Sequence, residues 1–353
     1  MKSPGRNAAS LTTLSPGRRA WLRFKADRRG YYSLWILSLL FVLSLFAEGL
    51  SNDKPLVVSY ESRLYFPLVN DYPETTFGGD FVTPTDYLDP HIRGKLSEGS
   101  NWVIYPLNPY RFDTLNYFST RPNPAPPNGE NWLGTDDRGR DILARLFYGF
   151  RISLAFGLAL TAIGMVIGII TGAIQGYFGG RTDLVFQRVL EIWGSMPELY
   201  LLLIFASIFQ PSLLLLLILL SLFGWMGLSD YVRAEFLRNR NLEYVTAARA
   251  LGLSGTRIMW RHLLPNSMTP VIAFLPFRMS GAILALTSLD FLGLGVPPTT
   301  PSLGELLAQG KNNLDAWWIS LTTFSVLVGM LLLLIFIGES LRSALDTRGD
   351  RRA

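Results

Sequence analysis

The residues best placed for chemistry in this chain are charged groups set inside apolar runs. Glu191 and Glu198 flank Pro197 within the run Leu184 to Phe209, and Arg278 and Asp290 sit near opposite ends of the run Ile272 to Leu294. If such runs cross a bilayer, each charge costs about 3 kcal/mol near the centre, so charges that persist there mark pathways or substrate contacts. Glu191 and Glu198 are therefore candidates for a translocation pathway, Glu198 being suited to an amine or a basic side chain. A bland alternative exists for each: Glu198 capping a helix broken at Pro197, and Arg278 snorkelling to the interface. Asp290 is expected to stabilise the loop that follows it or to contact a partner.

Catalysis has little to work with. The chain has no cysteine and two histidines, His91 and His262, which the topology below sends to opposite sides of a membrane, so neither a His-based triad nor a zinc cluster can be assembled. Nothing fits G-x-x-x-x-G-K-[ST]; the Gly94-Lys95 pair lacks both the preceding glycine and the hydroxyl. No cofactor and no metal is expected, and the chain is not expected to be an enzyme.

The elements that position these charges are apolar helices. Of the 353 residues 49% are hydrophobic, and they cluster. Six stretches approach the length of about 20 residues that a span requires: Tyr32 to Gly49, Ile152 to Ile174, Leu184 to Phe209, Ser212 to Leu228, Ile272 to Leu294 and Trp318 to Ile337. About 30 residues precede the first, too many for the n-region of a signal peptide, so it is expected to remain as an anchor. Before it stand Lys2, Arg6, Arg18, Arg19, Arg23, Lys25, Arg28 and Arg29 against Asp27 alone. The positive-inside rule then places the N-terminus in the cytoplasm. Six spans bring the tail, with Arg342, Arg348, Arg351 and Arg352, and the insert carrying Arg249, Arg257 and Arg261 to the same side. No nucleic-acid module accompanies the basic arm, so no nucleic-acid partner is expected.

The parts divide as a cytoplasmic arm over 1–30, a first transmembrane helix over 31–49, an outer insertion over 50–130, a transmembrane domain over 131–340 and a cytoplasmic tail over 341–353. In the arm, Trp21, Leu22 and Phe24 among arginines predict an interfacial helix. The insertion, rich in aromatics, Pro, Gly and Asp, predicts short strands and turns, closed by the stiff connector "TRPNPAPPNGENW" from Thr120 to Trp132. "LGTDDRGRDILARLFYGFRISL", Leu133 to Leu154, predicts an amphipathic surface helix capped by Thr135, with Ile142, Leu143, Leu146, Phe147 and Phe150 on one face. Gly157, Gly164, Gly168, Gly172 and Gly176 predict close helix packing.

Between the fourth and fifth spans lies a polar insert over 241–266, "NLEYVTAARALGLSGTRIMWRHLLPN". Asn241 is expected to cap a helix with Glu243 in its first turn, and Gly252 to end it in the left-handed conformation. Ser254 is expected to cap a second helix that stops before Pro265. The small side chains of Ala247 and Ala248 leave the first helix smooth enough for another protein to close over it.

Here the chain resembles a known family. "EYVTAARALG" followed by "HLLPN" is similar to the EAA loop of ABC-importer permeases: a glutamate, paired alanines, a glycine four residues after the second alanine and a downstream Leu-Pro. Glu243 is separated from the alanines as in the peptide-transporter branch. "LGTDDRGRDILARLFYGFRISL", "GYFGGRTD" at 176–183 and "LDFLGLGVPPTTPSLGELL" at 289–307 resemble the C-type permease of dipeptide and oligopeptide importers, with Ala144 where the family often has Ser. The long insertion resembles the subgroup associated with microcin C and larger oligopeptides.

The resemblance implies an all-α polytopic inner-membrane protein with the six-helix type I ABC-importer permease fold and a small mixed periplasmic insertion. It implies one half of a heterodimeric pore, moving peptide by alternating access, with cytoplasmic ABC ATPase domains and a periplasmic solute-binding protein as partners. Glu243, Ala247, Ala248, Gly252 and Pro265 then form the ATPase-coupling loop, and Gly252→Asp is expected to uncouple transport. Two rival classes are a gradient-driven secondary transporter, which the lack of an internal repeat disfavours, and a membrane-anchored periplasmic binding or assembly protein.

Overall fold

The computed structural model describes residues 15–115 and 121–346. Lys2 and Arg6 of the arm, Thr120 of the connector and Arg348, Arg351 and Arg352 of the tail lie outside the described residues. The chain divides into two compact units: one comprises Met1–Ser38, Leu154–Leu286 and Gly329–Ala353, the other Leu39–Ser153 and Thr287–Val328.

The second unit contains the insertion. After the short helix α3 (Ala47–Leu50), strands β1 (Val57–Tyr60), β2 (Arg63–Tyr65) and β3 (Trp102–Ile104) form an antiparallel sheet in the order β2-β1-β3. Glu61 and Ser62 make the β1–β2 turn with φ of 50° and 63°, the left-handed pair that a two-residue hairpin requires. Val58, Phe77, Tyr87 and Ile92 and Leu96 of α4 (Pro90–Leu96) form a small core. Phe77 is its centre, edge-on to Tyr60, Tyr65, Tyr72 and Tyr87 at 5.2–6.1 Å. Such pairs contribute about 0.5–1.5 kcal/mol each beyond burial, which helps so small a core hold together.

The expected helix from Leu133 is corrected. Gly134 and Gly139 have φ of 81° and 82°, so residues 133–141 turn rather than coil, and the helix α5 starts at Ile142 and runs to Phe178. Thr135 is no cap: its Oγ1 accepts the Ala125 N–H and donates to Asn123. Asp141 takes that role, accepting the Ala144 N–H at 2.8 Å. Asp136 is spent on charge, lying 2.6 Å from Arg140 and 3.7 Å from Arg145, while Glu305 of α14 (Leu303–Asn312) pairs with both arginines. Two cations and two anions thus neutralise one another around Arg145, whose side chain is wholly buried.

The remaining helices lie wholly or partly in the first unit. Of α1 (Pro16–Ala26) Trp21 and Leu22 are exposed, while Phe24 is buried with the Trp21 ring stacked on it at 5.7 Å. Among the described residues, three helical stretches are long and apolar enough to cross a membrane: α5, the stretch Leu213–Asn239 formed by α8 (Leu213–Gly224) and α9 (Met226–Asn239), and α15 (Trp317–Leu345). Two more candidates are bent: α6 (Gly180–Gly194) with α7 (Glu198–Ile208) at 62°, and Gly255–Ala273 with α13 (Leu275–Phe291) at 53°. The first expected span falls on the 18-residue helix α2 (Arg28–Leu45), which opens with two arginines and is not among these five candidates. The glycines of α5 pack closely: a Cβ on Gly168 would lie 3.0 Å from the Trp225 carbonyl, and one on Gly176 2.7 Å from that of Arg233.

Candidate functional site

The polar insert begins with α10 (Glu243–Ala250). Leu242, not Asn241, is its N-cap, and no side chain caps it; the Leu242 carbonyl accepts from Val245 and Thr246 instead. Glu243 is exposed in the first turn, where the helix dipole favours an anion. At the other end Gly252 has φ of 75°, its N–H donates to Arg249, and the Leu253 N–H reaches back to Ala248. This is the pair of bonds that closes a Schellman motif, for which a residue without Cβ is suited.

The two alanines part company. Ala248 is 5% exposed and packs with Val245, Val232, Phe236, Ile258 and Leu263 in the unit's core, whereas Ala247 is exposed. The expectation that both face outward is corrected, since neighbouring helical positions point about 100° apart. Tyr244, Ala247 and Leu251, at helical spacing, form the outward face, with Leu251 81% exposed. Sequence reasoning missed Tyr244 and Leu251, although their i, i+3, i+7 spacing was there to find.

Pro265 does not stop the second helix. Ser254 precedes α11 (Gly255–Ile258) without a side-chain cap bond, a π-helical turn follows at Met259–Leu263, and α12 (Leu264–Ala273) carries Pro265 in its first turn. A proline is tolerated there because first-turn N–H groups need no intrahelical acceptor, and the widened turn before it accommodates the ring. The second helix therefore runs without a break from Gly255 to Ala273.

Polar contacts fix the insert to its surroundings. The Arg249 guanidinium lies 5.6 Å from the centre of the Tyr177 ring, and a Cβ on Gly255 would come within 3.1 Å of that ring. Arg240 donates to the Gly176 and Tyr177 carbonyls at the end of α5. Arg233 forms a bidentate pair with Asp183 of the "GGRTD" turn, one arm at 2.7 Å, and Asn239 donates to Ser267.

The expected pathway residues separate. Glu191 is exposed, paired with Arg188, and lines no part of the cavity in which Glu198 takes part. That cavity, about 540 Å³, is lined by Glu198, Thr161 and Arg278 together with Gly194, Gly224 and Gly281. Arg278 points one arm at the Gly224 carbonyl. Asp290 turns to its own loop, accepting from the Val296 N–H at 2.9 Å and from the Ser302 hydroxyl.

Comparison with known proteins resolves the class. Residues 164–350 match the family of binding-protein-dependent transport system inner membrane components, and residues 15–67 match the N-terminal transmembrane domain of oligopeptide transport permease C. The chain belongs to this permease family. It is 50% identical to the peptidoglycan transport system permease protein YejE of Agrobacterium fabrum, over 94% of this chain and 93% of that one. It is likewise 50% identical to the inner membrane ABC transporter permease protein YejE of Escherichia coli, over 95% and 98%. The oligopeptide transport system permease protein OppC of Bacillus subtilis is 32% identical over 68% of this chain and 78% of its own. This permease is thus a multi-pass inner-membrane component of an ABC importer, mostly helical with a small sheet, in the type I fold. A gradient-driven carrier and an anchored binding module are set aside by that membership.

Proposed function

We propose that this permease forms one half of a heterodimeric pore that imports oligopeptides or peptide-like compounds, such as microcin C, using ATP hydrolysed by separate cytoplasmic subunits. The relatives support a peptide cargo: one is named for oligopeptides and one for peptidoglycan, whose fragments carry short peptides. On this reading the basic arm, the tail and the polar insert face the cytoplasm, and the insertion over 50–130 faces the periplasm and a solute-binding protein.

The single observation that carries the coupling role is the division of α10 into a buried face, Val245 and Ala248, and an unpartnered outer face, Tyr244, Ala247 and Leu251. An outer face of this kind, rooted in the membrane core, suits a lever: a motor that grips it moves the helices behind it. Closure of the ATPase domains would shift α10 as a body, and the Arg249 and Arg240 contacts would pass the shift to α5, rocking the pore between outward- and inward-open states.

Reconstitution tests this function. Proteoliposomes holding both permease chains, the ATPases and the binding protein should accumulate peptide when ATP is enclosed with the ATPase side and should continue to do so with ionophores present. Uptake that collapses with the ion gradient, or that proceeds without ATP, would refute it.

A further inference from the structure

The cavity lined by Thr161, Glu198 and Arg278 carries charges of both signs that do not use each other. Neither Glu198 nor Arg278 has an ion-pair partner among the described residues. The Arg278 guanidinium satisfies one arm on the Gly224 carbonyl, while its Nε is buried with no hydrogen-bond partner. Thr161, 7% exposed, likewise has a buried hydroxyl without a partner. Both atoms are closed off from the cavity, so what it offers an occupant is its two charges, the Glu198 carboxylate and the Arg278 guanidinium, which line it unpaired.

The lining also says what kind of occupant. A guanidinium suits a carboxylate, for which arginine supplies a planar fork of donors. A carboxylate elsewhere on the wall suits an ammonium. The rest of the lining is uncharged, with Leu160, Met196, Leu220, Phe223 and Met226 beside small residues. At about 540 Å³ the cavity falls within the range of about 300–1,000 Å³ typical of small-ligand sites.

We infer that this cavity is a transient binding site for a short zwitterionic peptide, read by its ends: Arg278 takes the terminal carboxylate, and Glu198 takes the terminal ammonium. Side chains of the peptide face the uncharged, mostly apolar part of the wall, which offers no further charge to select among them. The inference rests on the peptide-import reading and adds to it a chemical selectivity within the permease itself.

The test uses the complete reconstituted transporter and three probes: trialanine, its C-terminal amide and its N-acetyl form. The binding protein is the same throughout, so a change in an uptake ratio between variants belongs to the permease. Arg278→Gln is expected to lower the ratio of free acid to amide by about tenfold, the worth of one hydrogen bond to a charged group. Glu198→Gln is expected to lower the ratio of free amine to N-acetyl peptide by a similar factor. Should Arg278→Gln fail to assemble, Arg278→Lys replaces it; keeping the charge without the fork, it is expected to shift the ratio the same way by less.

Ratios equal to those of the unaltered complex in both variants, whatever the total uptake, would overturn the site and leave peptide import standing. An unaltered complex that hydrolyses ATP yet takes up none of the three probes would overturn peptide import, and the site with it.

Discussion

The guanidinium of Arg249 stands 5.6 Å above the ring of Tyr177, joining the polar insert to the end of the long helix α5. Gly255 closes against the same ring, so one aromatic side chain touches the insert on both sides of its hinge glycine. Tyr177→Leu keeps apolar bulk and removes the cation–π contact, about 0.5–1 kcal/mol at an exposed site. It is expected to lower ATP-driven uptake severalfold while leaving assembly with the ATPases intact. Uptake equal to that of the unaltered protein would show that this contact transmits nothing.

Gly252 separates conformation from crowding. Nothing lies within 4 Å of a Cβ placed there, so a substitution pays only for its left-handed φ of 75°. Valine, β-branched, is expected to be the most damaging, alanine to cost roughly 1–2 kcal/mol, and asparagine to be nearly neutral. Aspartate also tolerates this conformation, so Gly252→Asp is a milder test than the motif alone suggests. Uptake measured across the series should fall in the order Asn, Ala, Val; equal loss for all would mean that the backbone angle is not what matters.

Around Arg145 the balance of charge is tight. Glu305→Ala leaves one carboxylate, Asp136, for two buried arginines. Removing one partner of a buried ion pair costs about 3–5 kcal/mol. A sharp fall in the thermal midpoint of the purified protein is expected, and a loss under about 1 kcal/mol would place the cluster with ordinary surface pairs.

Asp141 gives a pH signature of unusual sign. Burial pushes its carboxyl above the ordinary range, opposed by hydrogen bonds from Asn131, the Ala144 N–H and Asn108. As pH rises past about 3.9 the unfolded carboxyl ionises first, so stability is lost between that value and the raised folded one, and regained on acidification. Asp141→Asn, neutral throughout, lacks this slope. The thermal midpoint of the unaltered protein, relative to Asp141→Asn, should therefore improve as pH is lowered toward 4; a relative decline would contradict the buried, raised carboxyl.

Much of this was legible in the residues, and the failures have physical causes. Five of the six apolar runs coincide with candidate spans, two of them bent, and Gly252 announced a helix end because few other residues accept its backbone. The break at Pro197 was among the readings the sequence offered, and the structure has it, whereas the bend near Phe274 was not legible, since hydropathy does not register direction. Thr135 was misread because an N-cap signature is local, whereas Gly134 and Gly139 and the ion pairs across to Glu305 decided the turn. Pro265 was misread for a similar reason: a π-turn placed before it costs less than ending the helix. Glu191 and Glu198 looked alike in sequence, and the 62° bend between their helices separated them.

The most direct test exploits a chain with no cysteine of its own. A single cysteine is placed at Ala247, on the outer face of α10, and in a second chain at Ala248, which is 5% exposed one residue away. In native membranes the cysteine at 247 should crosslink to a cytoplasmic ATPase with a yield that changes on adding ATP, and that at 248 should not. No ATPase crosslink from 247, or from Tyr244 and Leu251 beside it, in membranes that still import would contradict the coupling role of the insert.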